Sequence, residues 1–114
     1  MDKLANYRAL VKKLLTDYGE LMNRSAAPAD VETEVVFDEQ HDHYMLLNVG
    51  WPGRKRFRGT TVYLRLRNGK ILVEEDWLED GIVKDLLTAG APKADIVLAF
   101  QHPDMRPFTE FAVA

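Results

Sequence analysis

The spacing of apolar residues changes abruptly along this chain, from the period of a helix to that of a strand. Over residues 2–23 apolar side chains recur every three or four positions, which predicts one long amphipathic helix. From Asp30 to Asp76 they alternate with polar side chains, which predicts β-strands. A helix followed by strands joined through short connections favours an α+β fold, with the helix packed on the sheet.

The ends of the first helix carry recognisable signals. Asp2 is placed to cap its N-terminus, and Pro28 disfavours helical geometry at Ala27. The apolar stripe comprises Leu4, Tyr7, Leu10, Val11, Leu14, Leu15, Tyr18 and Leu21.

The middle of the chain predicts a four-stranded antiparallel meander. Asn68-Gly69 predicts a type I′ turn, because both residues tolerate a positive φ, and the earlier connections Asp38–Asp42 and Pro52–Lys55 are also of hairpin length. The predicted strands are a first around Val31–Phe37, then Tyr44–Trp51, Arg56–Arg67 and Lys70–Glu75.

The last third of the chain predicts a second, short helix over Glu79–Ala89, packed on the same side of the sheet. Gly90 is placed to end this helix, and Glu79 and Asp80 are read as favourable acids of its first turn. The apolar run Ile96–Phe100 fits either a strand or a helical turn. Beyond Pro103 the chain is expected to pack irregularly over the core, within one domain of residues 1–114.

Length and composition argue against several classes of protein. With 114 residues the chain suits a single domain. It has no apolar run near the ~20 residues of a membrane span, and its N-terminus does not resemble a secretory signal, so we expect a cytoplasmic protein. The absence of cysteine excludes disulfides and zinc–thiolate sites. A net charge of −3 argues against sequence-blind nucleic-acid binding by the whole molecule.

That net charge conceals three segregated blocks. Residues 30–42 carry six acids and no Lys or Arg, residues 54–70 carry seven bases and no acid, and residues 74–80 carry five acids. The favoured interpretation is cross-strand ion pairing on the solvent face of the meander. The sharper alternative is that the residues Arg54, Lys55, Arg56 and Arg58 project from a hairpin tip toward an acidic partner or phosphates.

Catalytic or metal-binding chemistry has little support in the sequence. His41 and His43, with Asp38 or His102, have ligand types that suit zinc, but no third ligand has a diagnostic spacing. The chain has one serine, Ser25, outside any nucleophile motif, and no glycine-rich phosphate loop. We therefore expect no catalytic residues, no metal and no cofactor, and a protein that is not an enzyme.

The two tryptophans are given different roles. Trp51 is embedded in a predicted apolar strand and is expected to pack, whereas Trp77 lies at a strand end and is the better candidate for a partner contact.

Short motifs extend over nearly the whole sequence, as Met1–Leu4, Tyr7-Arg8, Phe37–Glu39, Asp42–Tyr44, Leu46-Leu47, Gly50-Trp51, Gly53, Arg56, Gly59, Asn68–Ile71, Glu79–Ile82, Gly90–Lys93, Asp95–Leu98, Pro103, Arg106 and Thr109–Ala114. In this order and spacing they make the chain resemble the XisI family, the fdxN element excision controlling factor proteins.

This resemblance implies a small α+β accessory protein, linked to programmed excision of a DNA element alongside a site-specific recombinase and a nuclease-like companion, XisH. It supplies no catalytic residues. We favour a regulatory module that binds an XisH-like companion protein. The alternatives are a factor that binds DNA directly through Arg54–Arg58, and a small hydrolase or metal-dependent nuclease. A homodimer is a further expectation, because a sheet of this size leaves edges to cover.

Overall fold

The structure, a computed structural model that describes residues 2–24 and 30–114, places two α-helices beside a five-stranded sheet. Two short 3-10 helices, η1 and η2, lie near the C-terminus. In chain order the elements are α1 (Lys3–Arg24), β1 (Val31–Asp38), β2 (His43–Gly50), β3 (Phe57–Arg67), β4 (Lys70–Asp76), α2 (Ile82–Thr88), η1 (Lys93–Asp95), β5 (Ile96–Leu98) and η2 (Pro103–Phe108).

The sheet has the strand order β1-β2-β3-β4-β5. The first four strands form the predicted antiparallel meander, and β5 pairs with β4 in parallel. The prediction of four strands was therefore one strand short, and the segment Ile96–Phe100 contributes a strand. A strand of three residues is too short to show a period, and its parallel pairing requires the crossover through α2.

The predicted type I′ turn between β3 and β4 is confirmed. Asn68 has a φ of 52° and Gly69 a φ of 75°, the positive values that this turn requires at both central residues. The turn sets a register in which Arg67 pairs with Lys70 and Leu66 with Ile71.

Both helices cover the same face of the sheet, as predicted. Val11 and Leu15 of α1 are fully buried there, together with Ile82 and Leu86 of α2. Their partners in the sheet are the fully buried side chains Tyr44, Leu46, Val62, Leu64, Ile71, Val73 and Ile96. No helix in the described residues is both long and apolar enough to cross a membrane.

The second helix begins three residues later than predicted, at Ile82. The carboxylate of Asp76 accepts hydrogen bonds from the backbone N–H groups of Ile82 at 2.7 Å and Leu78 at 3.3 Å, so it holds the chain ahead of the helix. Glu79 and Asp80 precede the helix and are not in its first turn. The misplacement arises because acidic residues near a helix start do not show which of them caps it.

The start of α1 and the end of α2 agree with the predictions made from the sequence. The Asp2 carboxylate accepts a hydrogen bond from the Leu4 N–H at 3.0 Å, as a cap should. Gly90 follows α2 with a φ of 101°. The expectation about Pro28 lies outside the described residues.

The turn between β1 and β2 is tied to α1 through one carboxylate. Asp42 accepts two hydrogen bonds from the Arg8 guanidinium, at 2.8 and 3.1 Å, and one from the buried Tyr44 hydroxyl at 2.8 Å. The Arg8 hydrogen bonds hold the pKa of Asp42 below its ordinary 3.8, although burial acts in the opposite direction. Asp42 has a φ of 57°, a conformation that asparagine also tolerates.

Asp42→Asn is expected to lower the free energy of unfolding at pH 7 by about 1–3 kcal/mol, because it weakens hydrogen bonds to a charged group. A carboxylate whose pKa is lower in the folded protein contributes stability above its unfolded pKa, and this stability is lost as the pH falls through the folded value. The difference between wild type and variant should therefore shrink below pH 3.8. Urea unfolding at a series of pH values measures it, and a constant difference would contradict the assignment.

Candidate partner-binding surface

The basic residues singled out in the sequence lie at the connection between β2 and β3. Arg54, Lys55 and Arg56 belong to the connection itself, and Arg58 is the second residue of β3. All four side chains are exposed. We call these four residues the basic cluster.

The local backbone explains why the connection projects from the sheet. The pairing of β2 with β3 ends at Gly50 and Phe57, so the six residues between them leave the ladder. Gly53 has a φ of 116°, which only glycine adopts readily, and its N–H donates to the Trp51 carbonyl at 2.8 Å. The chain therefore reverses in a tight turn that presents the basic side chains to solvent.

The basic cluster has no carboxylate within ion-pair distance among the described residues. Within the described residues its side chains make one cation–π contact, in which the Arg56 guanidinium lies 5.4 Å from the centre of the Trp51 ring. Four neighbouring positive charges without anionic partners repel one another, so they favour an external anion or acidic surface.

A shallow cavity of about 610 Å³ lies beside the basic cluster. Its walls include Trp51 and Arg56 together with Asp30, directly before β1, and Glu32, the second residue of β1. Trp51 is 52% exposed, so the expectation that it packs in the interior was wrong. The apolar strand before it stops at Gly50, and Trp51 already lies beyond the end of the sheet.

The charge blocks were interpreted as cross-strand ion pairs, and within the described residues one such pair joins two blocks. Arg65 contacts Glu74 at 3.4 Å. Two acids of the first block, residues 30–42, pair with bases of α1 instead. Asp42 pairs with Arg8, and Glu39 pairs with Lys12 at 3.1 Å. Both acids lie at the connection between β1 and β2, at the opposite end of β2 from the basic cluster.

Trp77 does not join the basic cluster. It follows β4, is 75% exposed, and its indole N–H donates to Glu75 at 3.0 Å. Together with Glu74, Asp76 and Phe100 it lines a separate shallow cavity of about 270 Å³. Trp77 is therefore accessible to a partner, as the prediction of a partner contact requires, and its surroundings are acidic.

The three histidines make separate hydrogen bonds. His41 Nδ1 lies 2.8 Å from Asp38, His43 Nδ1 lies 2.7 Å from the Tyr63 hydroxyl, and His102 accepts from the backbone of its own 3-10 helix, η2. Within residues 2–24 and 30–114, no group of three or more potential ligands is placed to hold a metal ion. The metal-dependent nuclease hypothesis therefore gains no geometric support.

Comparison with known proteins shows what the whole chain resembles. The family model described as XisI protein matches residues 1–113. A crystal structure of fdxN element excision controlling factor XisI from Anabaena variabilis ATCC 29413 is 42% identical, with a TM-score of 0.83, and the match covers 99% of this chain and 100% of that one. An XisI-like protein from the same organism is 34% identical, with a TM-score of 0.89 and coverages of 97% and 99%. Comparison with curated proteins gives no significant match.

Proposed function

The chain belongs to the XisI family, and from this we propose that it is an accessory factor that controls excision of a DNA element by binding an XisH-like companion protein. The name of the 42% identical relative supports the role in excision control. The companion protein and the mode of action go beyond that name and are part of the proposal.

One observation carries the proposal that the factor acts by binding. The basic cluster holds four exposed cations without a carboxylate partner in the described chain, three on the connection between β2 and β3 and one at the start of β3. A complementary acidic surface on another protein would neutralise them and would gain in association rate from the same charges. Trp51, half-exposed next to Arg56, adds an aromatic side chain of the kind that dominates binding energy at interfaces.

Direct binding of DNA by the same cluster is the second candidate. Phosphates are the other common ligand for clustered arginine and lysine side chains. Asp30 and Glu32 lie across the neighbouring cavity, and the chain carries −3 overall, so a long polyanion would meet repulsion close to the cluster. A protein partner, whose acidic surface is limited in extent, avoids this repulsion.

The test is a pull-down with the companion protein, using wild type and the variant Arg54→Ala/Lys55→Ala/Arg56→Ala. We expect wild type to retain the companion and the variant to retain at least tenfold less, because binding through charges depends on their number. The variant Lys13→Ala/Arg24→Ala/Lys84→Ala is the matched control: it removes equal charge from exposed positions on the helices and should bind like wild type.

A gel shift with duplex DNA at low salt separates the two candidates. Recovery of the companion without any shift supports the protein-binding role. The opposite result would be a shift that weakens steeply with salt and disappears in Arg54→Ala/Lys55→Ala/Arg56→Ala, while no companion is recovered. That result would replace the protein-binding role by direct DNA binding.

A further inference from the structure

The face of the sheet opposite the two helices carries an apolar strip that no part of the core covers. In β2, Tyr44 and Leu46 point into the core, so Met45, Leu47 and Val49 point the other way. These three side chains are half-buried, and they lie outside both the core and the side chains packed against it. We call this side the open face.

Charges flank the apolar strip on its two sides with opposite sign. The strand register places Glu32, Val49 and Arg58 in one row across β1, β2 and β3. A second row contains Glu34, Leu47 and Thr60, and a third contains Val36, Met45 and Tyr63. Since paired residues on neighbouring strands share a face, the open face is acidic along β1, apolar along β2 and basic at the start of β3.

This arrangement is complementary to itself under one particular symmetry. A two-fold axis that runs parallel to β2, between two stacked sheets, places β1 of one copy over β3 of the other. Glu32 of each copy then lies over Arg58 of its partner, while the two β2 strands bring Leu47 against Leu47. An axis across the strands would instead place acids over acids. Aligned sheets stack about 10 Å apart, a distance that Glu and Arg side chains span together.

The alternative pairing, edge to edge through β1, is opposed by the same charges. Glu32 and Glu34 lie on this edge strand, and an antiparallel β1–β1 pair brings like charges together. A groove of about 330 Å³ on the open face, lined by Leu47, Val49, Arg58 and Thr60 among others, offers space for side chains of a stacked copy.

We propose that the open face binds a second copy of this chain, with Glu32 of each protomer paired to Arg58 of the other. This proposal does not depend on what Arg54, Lys55 and Arg56 bind, because those residues lie in the loop beyond the strands. Arg58 is the one member of the basic cluster that the dimer would use.

The absence of cysteine makes the contact simple to test. Leu47→Cys, close to the proposed axis, should form a disulfide-linked dimer on mild oxidation, whereas Lys84→Cys, exposed on α2, should stay monomeric. Light scattering during size-exclusion chromatography should give a dimer for the wild-type chain. A wild-type monomer at every concentration, or equal crosslinking of the two variants, would overturn the proposal.

Charge exchange tests the direction of the axis. Glu32→Arg and Arg58→Glu should each weaken the dimer roughly tenfold or more, and the double variant should recover affinity. Circular dichroism serves as the control for folding. Each variant should keep the spectrum of the wild-type chain, because the substituted residues are exposed. A double variant no tighter than either single one would reject this axis. If the wild-type chain is instead monomeric and Leu47→Glu loses binding of the companion, the open face belongs to the companion and the dimer proposal is rejected.

Discussion

Leu15→Ala is expected to lower the free energy of unfolding by about 2–5 kcal/mol, the range for truncating a fully buried leucine. Leu15 has no exposed surface and lies where α1 packs on the sheet, in one cluster with Leu46 and Val62. Leu15 and Val11 are the fully buried apolar side chains of this six-turn helix, whereas its ion pairs to the sheet are partly exposed and contribute less. Against a total stability of roughly 5–15 kcal/mol, this loss is a large fraction.

Leu21→Ala is the matched control for this prediction. It makes the same chemical change in the same helix, but Leu21 is 53% exposed. Chemical denaturation of the two variants should show a small effect for Leu21→Ala and a large one for Leu15→Ala. Equal effects would mean that the helix is not docked through Leu15.

Gly50→Ala is expected to destabilise the protein by about 1–3 kcal/mol or more, through steric overlap and not through lost burial. An added Cβ at Gly50 would collide with the Asp30 carbonyl oxygen and lie 2.7 Å from the Val31 Cα, both parts of the backbone. Neither atom can move aside without separating β1 from β2, since the Trp51 N–H also donates to the Asp30 carbonyl at 2.9 Å. The variant should lose the pairing at the start of β1 first.

Gly59→Ala provides the comparison on the neighbouring strand. A Cβ there meets no heavy atom within 4 Å, and Gly59 lacks a positive φ. Thermal unfolding should therefore leave Gly59→Ala close to wild type, and hydrogen exchange should show faster exchange at the start of β1 in Gly50→Ala alone. Similar melting curves for both variants would show that the approach of β1 at Gly50 does not constrain the fold.

The sequence predicts those parts of the fold that depend on local interactions. The stripe of α1 and the Asn68-Gly69 turn appear where expected, because helix periodicity and positive φ are properties of neighbouring residues. The strand β5 could not be predicted, because its three residues are defined by pairing with β4 from across α2. The start of α2 was misplaced because Asp76, a residue of β4, supplies the hydrogen bond to Ile82.

The basic cluster could be predicted as a set of residues but not in its electrostatic state. Its members are adjacent in sequence, and a hairpin tip is exposed in almost any meander. Whether their charges are neutralised depends on which acids the fold brings within ion-pair distance, and sequence spacing does not show this. Trp51 was expected to pack because the predicted strand included it, although β2 ends at Gly50, one residue earlier.

The central claim, that the basic cluster binds a companion protein, is tested most directly by the salt dependence of that complex. Calorimetric titration of the companion should give an affinity for wild type that falls as salt is raised, because the contact is made between opposite charges. The variant Arg54→Ala/Lys55→Ala/Arg56→Ala should bind more weakly and respond less to salt. Equal affinity and equal salt dependence for the two proteins would contradict the assignment of this surface.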